Sequence, residues 1–124
     1  MKILFVSEFF YPKIGGGEKW TEDVACALAE RGHDVFIVTS RLPHTKELEK
    51  YRGLRIYRHS SSGSFLQRLR MMRELEHYLT AFIKQHKIDI VHTNAYTPTL
   101  PAARAAKKNN IPVVSSVHLA IGTA

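Results

Sequence analysis

The chain has 124 residues, 44% of them hydrophobic and 23% charged, which is the composition of one water-soluble globular domain and too little chain for two substrate-binding domains. Eighteen Lys and Arg against eleven Asp and Glu leave a formal charge of +7, favouring acidic partners: phosphorylated small molecules, anionic lipid or nucleic acid. A single cysteine, Cys26, rules out an internal disulfide framework.

The chain alternates short apolar runs with amphipathic stretches. Residues 2–7 read as a first strand, its run 3–6 continuously apolar as expected of a strand covered on both faces. That run is too short for a signal peptide or a membrane span, so a cytoplasmic location is expected. A turn with Pro12, Gly15, Gly16 and Gly17 leads into a helix over 17–31, with Trp20, Val24, Ala27 and Leu28 at core spacing and Gly32 as its stop. Unpaired N–H groups at that helix start, together with the helix dipole, suit an anion or a hydroxyl-rich ligand. Cys26, within the helical pattern, reads as a small core residue.

Residues 35–39 form a second strand, parallel to the first across a βαβ unit. Residues 40–53 are a polar excursion with a helical turn near 45–51. Residues 54–58 alternate apolar and polar, as a short edge strand would. A long helix follows over 64–87, its core face Phe65, Leu69, Met72, Leu75, Leu79, Phe82 and Ile83. Residues 89–92 are a fourth strand, 98–109 a third helix opened by Pro98 and stopped by Asn109 and Asn110, and 112–117 a fifth strand.

This alternation predicts an α/β fold, a Rossmann-like doubly wound parallel sheet with strand order 3-2-1-4-5. Ligands of such sheets bind beyond the carboxyl ends of the strands, near the switch point between strands one and four. Three polar clusters fall there: 7–17 after strand one, 93–97 after strand four, and His118 after strand five. A dinucleotide site would need Gly-x-Gly-x-x-Gly in a tight first turn and an acidic residue ending strand two; the chain has Ile14-Gly-Gly-Gly-Glu18 in a long turn, and Val38-Thr39-Ser40. His92 and His118 have no carboxylate or thiolate at ligand spacing, so no metal site is expected.

In order and spacing, Lys2-Ile-Leu-Phe-Val6, Tyr11-Pro12, Gly15-Gly16-x-Glu18, Leu28-Ala-Glu-Arg-Gly-His-Asp-Val35, Asp89-Ile-Val-His92 and Pro112-Val-Val-Ser-Ser-Val-His118 resemble the N-terminal domain of glycosyltransferase family 4, retaining enzymes of GT-B architecture. The resemblance implies two Rossmann-like domains facing a cleft, the N-terminal one holding the acceptor and the C-terminal one most of a nucleotide-sugar donor. Residues 1–124 are then one domain, a truncated acceptor-side part without the donor-binding half, and the isolated chain is expected to be inactive. The resemblance implies that His118 assists transfer at the donor sugar and that no metal or other cofactor is needed. Gly15, Gly16 and Gly17 would approach donor phosphate or sugar oxygens through backbone amides. Tyr11, Asn94, Tyr96 and Thr97 fall on the acceptor side, Asn94 standing where the family often has a second histidine.

Leu66, Arg70, Arg73, His77 and Lys84 share a second face of the long helix. Basic residues around an apolar one suit an anionic bilayer, as expected for a lipid-linked acceptor and a peripheral position at the inner membrane face. The alternative is a non-catalytic Rossmann-like module that binds a partner protein or an anionic membrane surface. Nucleic acid is not expected as a partner, because charge is unaccompanied by an aromatic platform or recognition helix. An open sheet edge would favour self-association into an oligomer.

Overall fold

The computed structural model describes residues 1–7, 10–11, 16–41, 45–59, 65–94 and 99–116; the side chains of 16–18, 59, 65–69, 71 and 94 lie outside the description. In chain order the elements are β1 (Lys2–Val6), α1 (Gly16–Glu30), β2 (Asp34–Ser40), β3 (Leu48–Tyr51), β4 (Leu54–His59), α2 (Phe65–His86), β5 (Ile90–Asn94), α3 (Thr99–Lys108) and β6 (Val113–Ser116). They form one six-stranded sheet ordered β3-β4-β2-β1-β5-β6. The five strands expected from sequence are all parallel and hold the expected order, and β3 adds an antiparallel edge beside β4.

Residues 45–51 therefore do not form the expected helical turn, and β4 is not an edge. The polar segment is extended because Leu48-Glu-Lys-Tyr51 pairs with 54–57 through a two-residue turn, Arg52-Gly53. Both turn residues have positive φ, 51° and 82°, which is the twist a tight hairpin requires.

Side-chain alternation splits the core in two. On one face Leu4, Val6, Phe36, Val38 and Val91 pack under Leu75, Leu79, Phe82 and Ile83 of α2 and Ala102, Ala105 and Ala106 of α3. On the other, Ile3, Phe5, Val35, Ile37, Leu54 and Ile56 meet Ala25 and Cys26 of α1, and Phe10 completes the cluster. Both faces of the central strands are thus covered, and so their sequences are apolar without alternation.

The inward face of α1 matches the expected one in part: Val24 and Leu28 pack against the core, whereas Trp20 and Ala27 are exposed and Thr21, Ala25 and Cys26 are buried. The three described helices each stop in a left-handed residue: Gly32, Lys87 and Asn110. At α1 the His33 amide donates to the Leu28 carbonyl and Gly32 to Ala29; at α3 Ile111 donates to Ala106 and Asn110 to Lys107. These paired bonds satisfy carbonyls that a helix end leaves open. Glu76 joins α2 to α3 through Lys108 at 2.7 Å and Arg104 at 3.6 Å; the Lys108 hydrogen bond is the main reason its carboxyl is held below the usual range.

Candidate functional site

The carboxyl edge of the parallel strands collects hydroxyls and one buried cation. Ser7, just past β1, is buried and donates its amide to the Val38 carbonyl at 3.1 Å. Thr39 and Ser40 end β2, Arg58 lies one residue from the end of β4, and Thr93 lies one residue from the end of β5; all four are buried. Chains of apolar residues thus give way to polar ones at the same level of the sheet, where strand ends leave backbone groups facing outward.

At the β5–β6 side, the His92 Nε2 and Ser116 hydroxyl are 2.8 Å apart. On the opposite sheet face the Thr93 hydroxyl lies 2.9 Å from that of Ser115 and 3.4 Å from that of Thr99, which opens α3. The His92 ring packs 5.0 Å from Phe5 and 5.5 Å from Trp20. Trp20 is 37% exposed, so an apolar indole stands at this edge beside a half-buried imidazole. Such a ring can stack on the apolar face of a sugar or a base.

Across the switch point, Gly16 and Gly17 open α1, and their backbone amides belong to its first turn. Tyr11 precedes them with its ring stacked on Tyr51, centroids 3.9 Å apart at 11°. Its carbonyl accepts from Nη2 of Arg58, whose guanidinium also donates to Glu49 Oε1 from Nε at 3.1 Å and Nη2 at 2.6 Å.

The sheet thus brings Tyr11, Gly16, Gly17 and Asn94 to one edge, Asn94 as the last residue of β5 opposite Ser116. Gly15, Tyr96, Thr97 and His118 lie outside the described residues, as does the side chain of Leu66. Arg70, Arg73 and Lys84 are exposed along α2, away from its buried row Leu75, Leu79, Phe82 and Ile83. Among the described residues no three His, Cys, Asp or Glu side chains gather as metal ligands, and no helix is long and apolar enough to cross a membrane. Burial raises the Cys26 thiol above its ordinary value, which keeps it protonated near neutral pH and unsuited to nucleophilic work.

Two residues at this edge were not legible as such from sequence. Trp20 read as core, although its place one turn into α1 carries it to the carboxyl edge. Arg58 read as the polar side of an edge strand, although its i, i+2 spacing from Leu54 and Ile56 puts it on their buried face.

Residues 14–122 match the profile of Glycosyltransferase Family 4. The chain belongs to that family. Over 56 residues this family 4 chain is 41% identical to one component of human phosphatidylinositol N-acetylglucosaminyltransferase, a stretch covering 44% of the chain and 12% of that protein. Its fold is similar to that of sucrose-phosphate synthase from Thermosynechococcus elongatus (TM-score 0.78, 16% identity, 95% of this chain and 33% of that one). It is also similar to that of a glycosyltransferase from Rickettsia africae (TM-score 0.68, 24% identity, 92% and 28%). The chain therefore spans about a third or less of these proteins, and its sheet has the Rossmann-like fold of a GT-B domain.

Proposed function

We propose that the chain is the acceptor-side, N-terminal part of a retaining GT-B glycosyltransferase that moves a sugar from a nucleotide-sugar to a glycan or lipid-linked acceptor. The observation that carries this reading is the convergence, in a family 4 chain, of the α1 N-terminus with the hydroxyl-rich ends of β1, β5 and β6 on one sheet edge. In the reaction the bond from the anomeric carbon to the diphosphate breaks. The acceptor oxygen bonds that carbon on the same face, and its proton leaves with the diphosphate.

Negative charge grows on the diphosphate and positive charge on the sugar, so fixed dipoles at the right place lower the barrier. Gly15, Gly16 and Gly17 take the donor-facing role at the positive end of α1. His118 stabilises the sugar cation by hydrogen bonding, and Tyr11, Asn94, Tyr96 and Thr97 line the acceptor side. The transfer uses no metal, and full activity in EDTA is the expected outcome. The remaining donor contacts come from a second domain, so the 124-residue chain alone turns over negligibly.

The human relative's name specifies phosphatidylinositol, which supports a lipid-linked acceptor here; a peripheral position on the inner membrane face, held by Arg70, Arg73, Lys84 and Leu66, is the arrangement proposed with it. The test is an assay of the full-length gene product against a panel of nucleotide-sugars with lipid and glycan acceptors. Anomeric retention in the product and a loss of at least about tenfold in kcat for His118→Ala are expected. Inversion, or full activity without His118, overturns the reading.

A further inference from the structure

The β3–β4 hairpin reaches both flanks of the segment between Tyr11 and α1. Before the segment, Tyr51 stacks on the Tyr11 ring and Arg58 donates to the Tyr11 carbonyl. After it, Arg52 at the hairpin turn donates to Glu22 Oε2 on α1 at 2.8 Å, and Gly53 sits so close beneath α1 that a Cβ there would lie 3.6 Å from that of Ala29. We propose that Arg58 is a positioning residue for Tyr11 and, on the other flank, the start of α1, and that the hairpin is the brace through which it acts.

The chemistry of Arg58 sets it apart from a packing residue. Its side chain is wholly buried, its charge is met by Glu49, and its Nη1 is buried without a hydrogen-bond partner among the described residues. Burying a guanidinium with one nitrogen unpaired is unfavourable against a hydrocarbon of similar volume. What the planar fork supplies is geometry: Nε and Nη2 fix it on the hairpin's own carboxylate, and Nη2 reaches a carbonyl 47 residues earlier in the chain. Lysine offers a point charge and cannot hold both partners in one plane.

The consequence is for the amides of Gly16 and Gly17. Backbone donors stabilise a ligand only when held within a fraction of an ångström of their working position. Those two residues are tied to the sheet through α1 on one side and through Tyr11 on the other, and the hairpin grips both. This part of the inference rests on the donor-facing role given to the glycines above; the bracing itself does not.

The experiment measures backbone order parameters by nitrogen relaxation in the 124-residue chain and in its Arg58→Met, Arg58→Lys and Glu49→Gln variants. The native chain is expected near ~0.85 at Tyr11, Gly16 and Gly17, and Arg58→Met below about 0.6, while Leu79 and Val91 stay rigid. Arg58→Lys and Glu49→Gln should fall between. Unchanged order at the three residues in Arg58→Met, or an equal loss at Leu79 and Val91, overturns the proposal. If Arg58→Met does not fold, Glu49→Gln decides: loss confined to the three residues supports the brace, and no loss refutes it. A titration of the full-length gene product and its Arg58→Lys variant with UDP-N-acetylglucosamine should show about tenfold weaker binding in the variant. Equal affinity in the two full-length proteins counts against the donor-facing role of the glycines, and the order parameters still decide on Arg58.

Discussion

The His92 imidazole and the Ser116 hydroxyl meet at 2.8 Å across β5 and β6, on the same sheet face as Phe5 and Trp20. This contact holds the outer parallel strand in register at the carboxyl edge, since Asn94 and Ser116 are the last paired residues of that ladder. Ser116→Ala is expected to cost about 0.5–1.5 kcal/mol, the net worth of one such hydrogen bond. Urea denaturation measures it, and a double-mutant cycle with His92→Phe should show that the two losses are not additive.

His86 predicts a pH dependence. It packs against Phe82, Tyr57 and Phe36, and burial first, then the Arg55 and Lys2 charges, pushes its pKa below the ordinary value. The folded protein therefore takes up this proton less readily than the unfolded chain. Its stabilising contribution is complete above the unfolded value of about 6.5 and is lost as pH falls from there through the lower folded value. Thermal melts between about pH 7.5 and 5 should show Tm falling with acidification, with a smaller slope in His86→Leu.

Gly53 tests the hairpin. With φ at 82° and Ala29 close by, a side chain here meets backbone strain rather than empty space. Gly53→Ala is expected to destabilise by about 1–2 kcal/mol, the usual cost of the left-handed region for an L-residue. Chemical denaturation gives the magnitude, and proton shifts of Leu48 and Tyr51 should move toward random-coil values before those of Phe36.

The basic face of α2 makes a prediction about membranes. Each basic residue near an anionic surface is worth about 1 kcal/mol, so replacing Arg70, Arg73 and Lys84 together by alanine should weaken binding to phosphatidylserine vesicles by about two orders of magnitude. Neutral phosphatidylcholine vesicles should bind both proteins equally weakly in co-sedimentation. Equal retention of the native chain by the two lipids would remove the membrane assignment.

Local sequence determined most of the secondary structure. Apolar runs centred on 3–6, 35–38 and 90–91 became the cores of parallel strands because they offer little for an exposed face, and Gly32 and Asn110 marked helix ends because they tolerate positive φ. Even the order of the five parallel strands followed, since short βαβ crossovers leave few alternatives. The position of Gly16 and Gly17 at a helix start on the ligand-binding edge belongs to the same class.

Only the tertiary structure decided the rest, and in each case a distant partner overrode the local signal. Residues 48–51 lie in a polar stretch that reads as a helical turn; they are a strand because β4 offers a free ladder and Arg52 accepts a left-handed turn. Trp20 fits a core pattern but lies at the edge, where its ring packs on His92 of β5 while Ala25 and Cys26 take the buried positions over the strands. Arg58 carries a charge that by itself predicts exposure. It is buried because pairing brings Glu49 beside it and because Tyr11, 47 residues earlier, presents a carbonyl to it.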